Sequence, residues 1–229
     1  MKPKQLAFEL PPARPAMGRD DFFVSTANQS AVALVDGWRD WSAGKLVLTG
    51  DLGAGKTHLA HVWAAQTEAP IIAAKDVADL PLDGLPPALA VEDVDQIAGN
   101  ATAEEALFHL HNALSQIGAP LLLTARTAPS RWGLTLSDLT SRMAQASLAR
   151  LDPPDDQLLI VLMMKHAADR KLDLTPNMLQ HIAARLPRSF AAADRVVARI
   201  DVHALAARKP ANMTHVRAAL ADIGDDPSF

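Results

Sequence analysis

Apolar residues along this chain follow two rhythms that change near residue 152. Before that point, short apolar runs alternate with stretches of helical spacing: Leu46-Val47-Leu48, Ile71-Ile72-Ala73, Leu89-Ala90-Val91, Leu121-Leu122-Leu123 and Ser147-Leu148-Ala149. Runs this short, bounded by Pro70 or Pro86-Pro87, suit strands of a parallel sheet buried on both faces. Between them the spacing predicts helices over His58 to Gln66 and Thr102 to Ile117. The second carries Leu107, Leu110, Leu114 and Ile117 on one face, a capping box in Thr102 and Glu105, and Gly118 as its stop. Strands alternating with helices predict a doubly wound α/β domain. After Asp152-Pro153-Pro154-Asp155 only helical spacing remains, over Gln157 to Arg170, Pro176 to Arg185 behind Thr175 as N-cap, Phe190 to Ala207 and Thr214 to Ile223. The expected division is a leader (1–19), an α/β domain (20–152) and a smaller all-α unit (153–229).

Composition narrows the class without naming a function. With 49% hydrophobic and 21% charged residues in 229, the chain can bury a sizeable core. It has no cysteine, which excludes disulfide and thiol chemistry. No apolar run approaches the ~20 residues of a membrane span, and no signal-peptide pattern follows Met1, so a cytoplasmic protein with no membrane partner is expected. A net charge of −4 argues against a generally basic nucleic-acid surface.

The chemistry concentrates after the first strand. GDLGAGKT, Gly50 to Thr57, has the G-x-x-x-x-G-K-[ST] spacing between a predicted strand and a predicted helix. Glycines let the loop amides converge on phosphate oxygens at a helix N-terminus. Lys56 would neutralise the β and γ phosphates, and Thr57 would ligate Mg²⁺. Gly50, Gly53, Ala54, Gly55, Lys56, Thr57 and His58 thus form the expected site for ADP or ATP. ALAVEDVD supplies the carboxylates this site needs at a strand end, with Glu92 where such sites usually have Asp. Either Glu92 holds the metal through water, or Asp93 does so and no base remains; both imply slow intrinsic hydrolysis. His58, His61, His109 and His111 complete no other metal set, and Trp38, Trp41 and Trp63 read as packing residues.

GDLGAGKTHLAH followed in order by VEDVD, LLLTAR and LTSRM resembles the AAA+ domain of the DnaA initiator family. The resemblance implies a P-loop AAA+ sheet followed by a helical lid. It assigns Phe23, Val24 and Asn28 to the adenine side, Thr124 to sensor 1, Arg142 to the arginine finger and Arg188 to sensor 2 of the lid. Arg142, Asp93 and Thr124 are then the catalytic candidates.

Within that family the chain is most similar to the short Hda-type regulators, because no helix-turn-helix DNA reader follows the lid and no sequence-specific DNA contact is expected. Such regulators carry a Gln-Leu-x-Leu-type peptide for the replicative sliding clamp. Gln5, Leu6, Phe8 and Leu10 match it, in an extended segment isolated by Pro3 and Pro11-Pro12. The implied partners are the clamp and the DnaA initiator, whose ATP hydrolysis the chain would stimulate, limiting re-initiation of replication; a homo-oligomer is compatible with the resemblance. The rival reading is an autonomous ATPase of the helicase-loader or transposition-helper kind on single-stranded DNA, which leaves QLAFEL unexplained.

Overall fold

A computed structural model describes residues 18–19 and 22–224. Gln5, Leu6, Phe8 and Leu10 lie outside the described residues. Five parallel strands form one sheet in the order β2-β3-β4-β1-β5: β1 (Lys45–Gly50), β2 (Ile71–Ala73), β3 (Leu89–Glu92), β4 (Leu121–Ala125) and β5 (Ser147–Leu151). The α/β sheet predicted from the apolar runs is therefore present. β1 lies between β4 and β5, with Val47 paired to Leu123 and Leu148. Every residue of β1 is buried.

Side chains alternate across a strand, so β1 feeds two cores. Leu46 and Leu48 join Leu59 and Trp63 of α2 (Lys56–Thr67) and Val32 and Val35 of α1 (Gln29–Asp36). Val47 faces the other way, into Leu107 and Leu110 of α3 (Ala101–Gln116) and Leu139 and Met143 of α4 (Ser137–Ala144). Trp41 and Trp63 stack with centroids 5.4 Å apart, both buried in the first core. A third core is built from α5 (Asp156–Asp169), α6 (Pro176–Ala183), α7 (Phe190–Ala207) and α8 (Met213–Gly224). Asp155, Thr175 and Ser189 cap α5, α6 and α7 by accepting from Leu158, Met178 and Ala192. No helix among the described residues is long and apolar enough to cross a membrane.

Two local expectations need correction. Thr102 and Glu105 do not form a capping box. The N-cap of α3 is Asn100, whose side chain accepts from Ala103 N–H, and Glu104 rather than Glu105 turns inward. Ile117 is 59% exposed, because the helix ends at Gln116 and the chain turns away before the apolar stripe is complete. Helices α1 and α4 were not predicted. Each is eight residues long, and neither has a side-chain cap bond to announce it.

Candidate functional site

The loop after β1 lies at the carboxyl edge of the sheet, where ligands of open α/β folds bind. Gly53 and Gly55 have φ of +81° and +95°, conformations that L side chains rarely adopt. They are also closely approached from two sides: a Cβ at Gly53 would come within 3.1 Å of Phe190 at the start of α7, and one at Gly55 within 3.1 Å of Phe22. The loop is thereby pinned between the N-terminal segment and the helical unit.

A cavity of about 590 Å³ opens over this loop. Phe23, Asn28, Gly53, Ala54, Gly55, Lys56, Thr57, His58 and Asp93 line it, which brings together most of the residues expected from sequence. Lys56 donates to the carbonyls of Gly50 and Asp51 at 2.8 and 3.0 Å, so its ammonium sits inside the loop. Burial lowers its pKa, against the opposing pull of Asp93 and Asp95. Asn28 works as a brace: its Nδ2 donates to the Phe23 carbonyl at 2.9 Å while its Oδ1 accepts from Ser25 N–H. His58 packs edge-on against Phe22 and has Nε2 3.0 Å from the Gly18 carbonyl.

The strand-end acids divide by position. Asp93 faces the cavity with φ 58°, a left-handed conformation that costs a non-glycine residue on the order of 1 kcal/mol or more. Thr124, buried at the corresponding end of β4, accepts from Asp93 N–H at 3.0 Å and so fixes that turn. Glu92 does not line the cavity, yet its Oε1 is buried without a hydrogen-bond partner, as is Oδ1 of Asp95. Shielded carboxylate oxygens beside a loop lysine are costly to leave unpaired and fit a hydrated divalent cation. In that arrangement Thr57 would supply its hydroxyl and Glu92 or Asp93 its carboxylate. Among the described residues no group of three or more His, Asp or Glu side chains is arranged to hold a metal ion, so a cation here would rest on one or two carboxylates, Thr57 and the nucleotide's own phosphates.

Four expected site residues, besides Glu92 and Thr124, lie off the cavity wall. Gly50 and Val24 flank it without lining it. Arg188 is exposed and pairs with Asp156 at 3.0 Å. Arg142 is exposed at the end of α4, where its carbonyl accepts from Lys45 at 2.9 Å. Lys45 begins β1, so Arg142 lies by the edge of the sheet opposite the P-loop.

Sequence reasoning missed the wall contributed by the helical unit. Leu158 and Leu162 of α5, Phe190 of α7 and the polar group Lys165, His166 and Asp194 line the cavity. Arg170 donates to Asp194 at 2.7 Å, and His166 Nδ1 lies 3.5 Å from the same oxygen. Burial lowers the His166 pKa, with Asp194 opposing. The spacing of Phe190 and Asp194, four apart on α7, was the available signal.

No protein-family model matches the chain. Its sequence is similar to the chromosomal replication initiator DnaA of Corynebacterium aurimucosum (25% identical over 138 residues, 60% of this chain and 25% of the initiator). It is likewise similar to DnaA of Magnetococcus marinus (27% over 135 residues, 59% and 30%). The chain thus spans between a quarter and a third of the length of these relatives. Among solved structures, domain III of Thermotoga maritima DnaA superposes with a TM-score of 0.76 at 18% identity, covering 94% of this chain and all of that one. AMPPCP-bound DnaA of Aquifex aeolicus gives 0.65 at 17% identity, covering 82% and 66%. The Thermotoga maritima RuvB branch-migration motor gives 0.60 at 22%, covering 80% and 62%. Taken with the P-loop cleft and the five-stranded parallel order, these likenesses give the chain the α/β fold of DnaA domain III and a sequence similar to that of the DnaA initiators.

Proposed function

We propose that this chain is a nucleotide-bound AAA+ regulator of the Hda type. It holds ADP or ATP with Mg²⁺ in its own cleft, docks on the sliding clamp through Gln5, Leu6, Phe8 and Leu10, and presents Arg142 to ATP bound on the DnaA initiator. The chain's own groups have separate tasks in this reading. The loop amides and Lys56 bind phosphate, Thr57 with Glu92 or Asp93 holds the cation, and the apolar wall of Leu158, Leu162 and Phe190 excludes water from the base. Thr124 orients Asp93 by holding its backbone.

The position of Arg142 carries the proposal. Arg142 is exposed by the sheet edge opposite the P-loop, with the length of β1 between them, which supports a role on a nucleotide held by another molecule rather than its own. A planar, permanently charged fork at a γ-phosphate accelerates transfer by about 10³-fold or more in P-loop systems. The test is single-turnover hydrolysis of labelled ATP preloaded on initiator, with clamp and DNA present. Arg142→Ala should abolish the stimulation while keeping nucleotide and clamp binding, and Arg142→Lys should restore little. Unchanged stimulation by the Ala variant would remove the finger role.

A further inference from the structure

Beside Arg142 lies a second recess, of about 450 Å³, lined by Ala43, Lys45, His111, Asn112, Ser115, Gln116, Arg142 and Gln145, with no carboxylate among them. Lys45 is 2% exposed, which is unusual for a lysine with no acidic partner among the described residues. Its ammonium makes two bonds: to His111 Nε2 at 2.7 Å and to the Arg142 carbonyl at 2.9 Å. An ammonium only donates, so Nε2 is the acceptor and the proton of the neutral ring lies on Nδ1, 3.2 Å from Asn112 Oδ1. The Asn112 amide thus orients His111, His111 orients Lys45, and Lys45 holds the last turn of α4.

The other end of that helix is held in the complementary way. Glu104, fully buried, accepts from the backbone N–H groups of Thr135 and Leu136 at 2.9 and 2.8 Å, immediately before α4 begins at Ser137. A carboxylate at the N-terminus and an ammonium at the C-terminus both oppose the helix dipole. A helix of eight residues has too few internal bonds to hold its own axis, so these charged contacts set where Arg142 points.

We propose that Lys45, seated by His111, is the positioning residue for Arg142 in stimulating a partner's nucleotide hydrolysis. The inference rests on the finger reading of Arg142 given above. The titratable groups facing Lys45 are His111 on α3 and Arg142 on α4; the adjoining strands β4 and β5 start beside it at Leu121 and Ser147, which do not titrate. Burial and then the nearby guanidinium push Lys45 down to about 8, and burial and then Lys45 also lower His111, which keeps the ring a neutral acceptor. Above that pH the amine loses its charge and with it the charge-assisted bond to the Arg142 carbonyl. Folding responds in the opposite sense. Between about 8 and 10.5 the unfolded chain binds more protons at this residue than the folded one, so stability rises with pH while positioning weakens.

The experiment compares wild type, Lys45→Met and Arg142→Ala in the single-turnover assay across pH 7 to 9.5, with clamp and DNA present. Met keeps the length of the stem and removes the donor. Wild-type stimulation should fall as pH rises through about 8. Lys45→Met should be slower by about 10-fold to 100-fold at pH 7, as for a misplaced catalytic group, and should lack that inflection, with nucleotide affinity unchanged. If Arg142→Ala loses stimulation but Lys45→Met matches wild type, the positioning role fails and the finger survives; if Arg142→Ala keeps stimulation, the finger reading itself fails. Should Lys45→Met not fold, NMR of the wild-type protein decides: backbone amides of residues 140–146 should titrate near pH 8, and their failure to do so would overturn the proposal.

Discussion

Removing the Glu104 carboxylate should cost this protein a large part of its stability. The side chain is completely buried and accepts four hydrogen bonds: Gly99 N–H on Oε1 at 2.7 Å, and on Oε2 the Thr135 N–H, the Thr135 hydroxyl and the Leu136 N–H at 2.8 to 3.0 Å. Bonds to a charged acceptor are worth roughly 1.5–3 kcal/mol each, so the gross loss in Glu104→Ala is on the order of 6–12 kcal/mol. Water entry and relaxation return part of this, and the expected net cost is about 3–5 kcal/mol, typical of breaking a buried charged network. Glu104→Gln keeps one carbonyl oxygen but turns an NH₂ group toward another donor, and should cost about 2–3 kcal/mol. Guanidinium unfolding monitored by tryptophan fluorescence measures both. The pH dependence has a definite sign. Burial raises the pKa, but the bonds from Leu136, Gly99 and Thr135 outweigh it and hold the group below 4.5. Its contribution is therefore complete above pH 4.5 and lost as pH falls through the lower folded value, so wild type and Glu104→Gln should converge in acid. A Glu104→Ala cost under about 1 kcal/mol would refute the account, because four orphaned donors cannot be left so cheaply.

Two further outcomes follow from the cleft and the leader. Lys56→Ala should lose the nucleotide and, where wild type is kept at 100 times its Kd, forfeit about 2.7 kcal/mol of ligand-linked stability; equal thermal shifts on adding ADP to both proteins would contradict the site. A synthetic peptide of residues 1–15 should compete with the full chain for the sliding clamp in fluorescence anisotropy, and undiminished clamp affinity after deleting Gln5 to Leu10 would remove that partner.

What could be read in advance was whatever depends on local rhythm. The central strands β1, β3 and β4 announced themselves because a strand buried on both faces runs apolar over successive positions, as Leu121-Leu122-Leu123 does, whereas the edge strands β2 and β5 are partly exposed and were marked by short apolar runs. The P-loop was equally legible, since its backbone path demands glycine at Gly53 and Gly55. Glu104 was not. It stands beside Glu105 in ATAEE, and only the approach of Thr135 and Leu136, some thirty residues later, distinguishes the two. Lys45 was hidden for the same reason: its partners His111 and Arg142 are 66 and 97 residues away, and a lysine before an apolar run reads as a solvated strand end. The wall that the helical unit gives the cavity likewise depends on how α5 and α7 lie over the loop, which spacing within either helix does not encode.

The sheet order has a consequence for assembly. β1 ends in the loop that would receive a nucleotide and begins at the residue that holds Arg142, so on the proposed reading the molecule would have a receiving edge and a donating edge at opposite ends of one strand. Two copies stacked end to end about a two-fold axis would bring like edges together and complete no site. If Arg142 acts as proposed, productive end-to-end contacts are head-to-tail, and such contacts close into a ring only where the rotation between neighbours allows it and otherwise continue as an open row. A row of such molecules is directional: its two end members differ, one with a cleft no neighbour serves and one with an arginine no neighbour uses. On the proposed reading, a copy presenting Arg142 to the cleft at one end of such a row would act on that terminal member, and one joining the other end would only be acted upon.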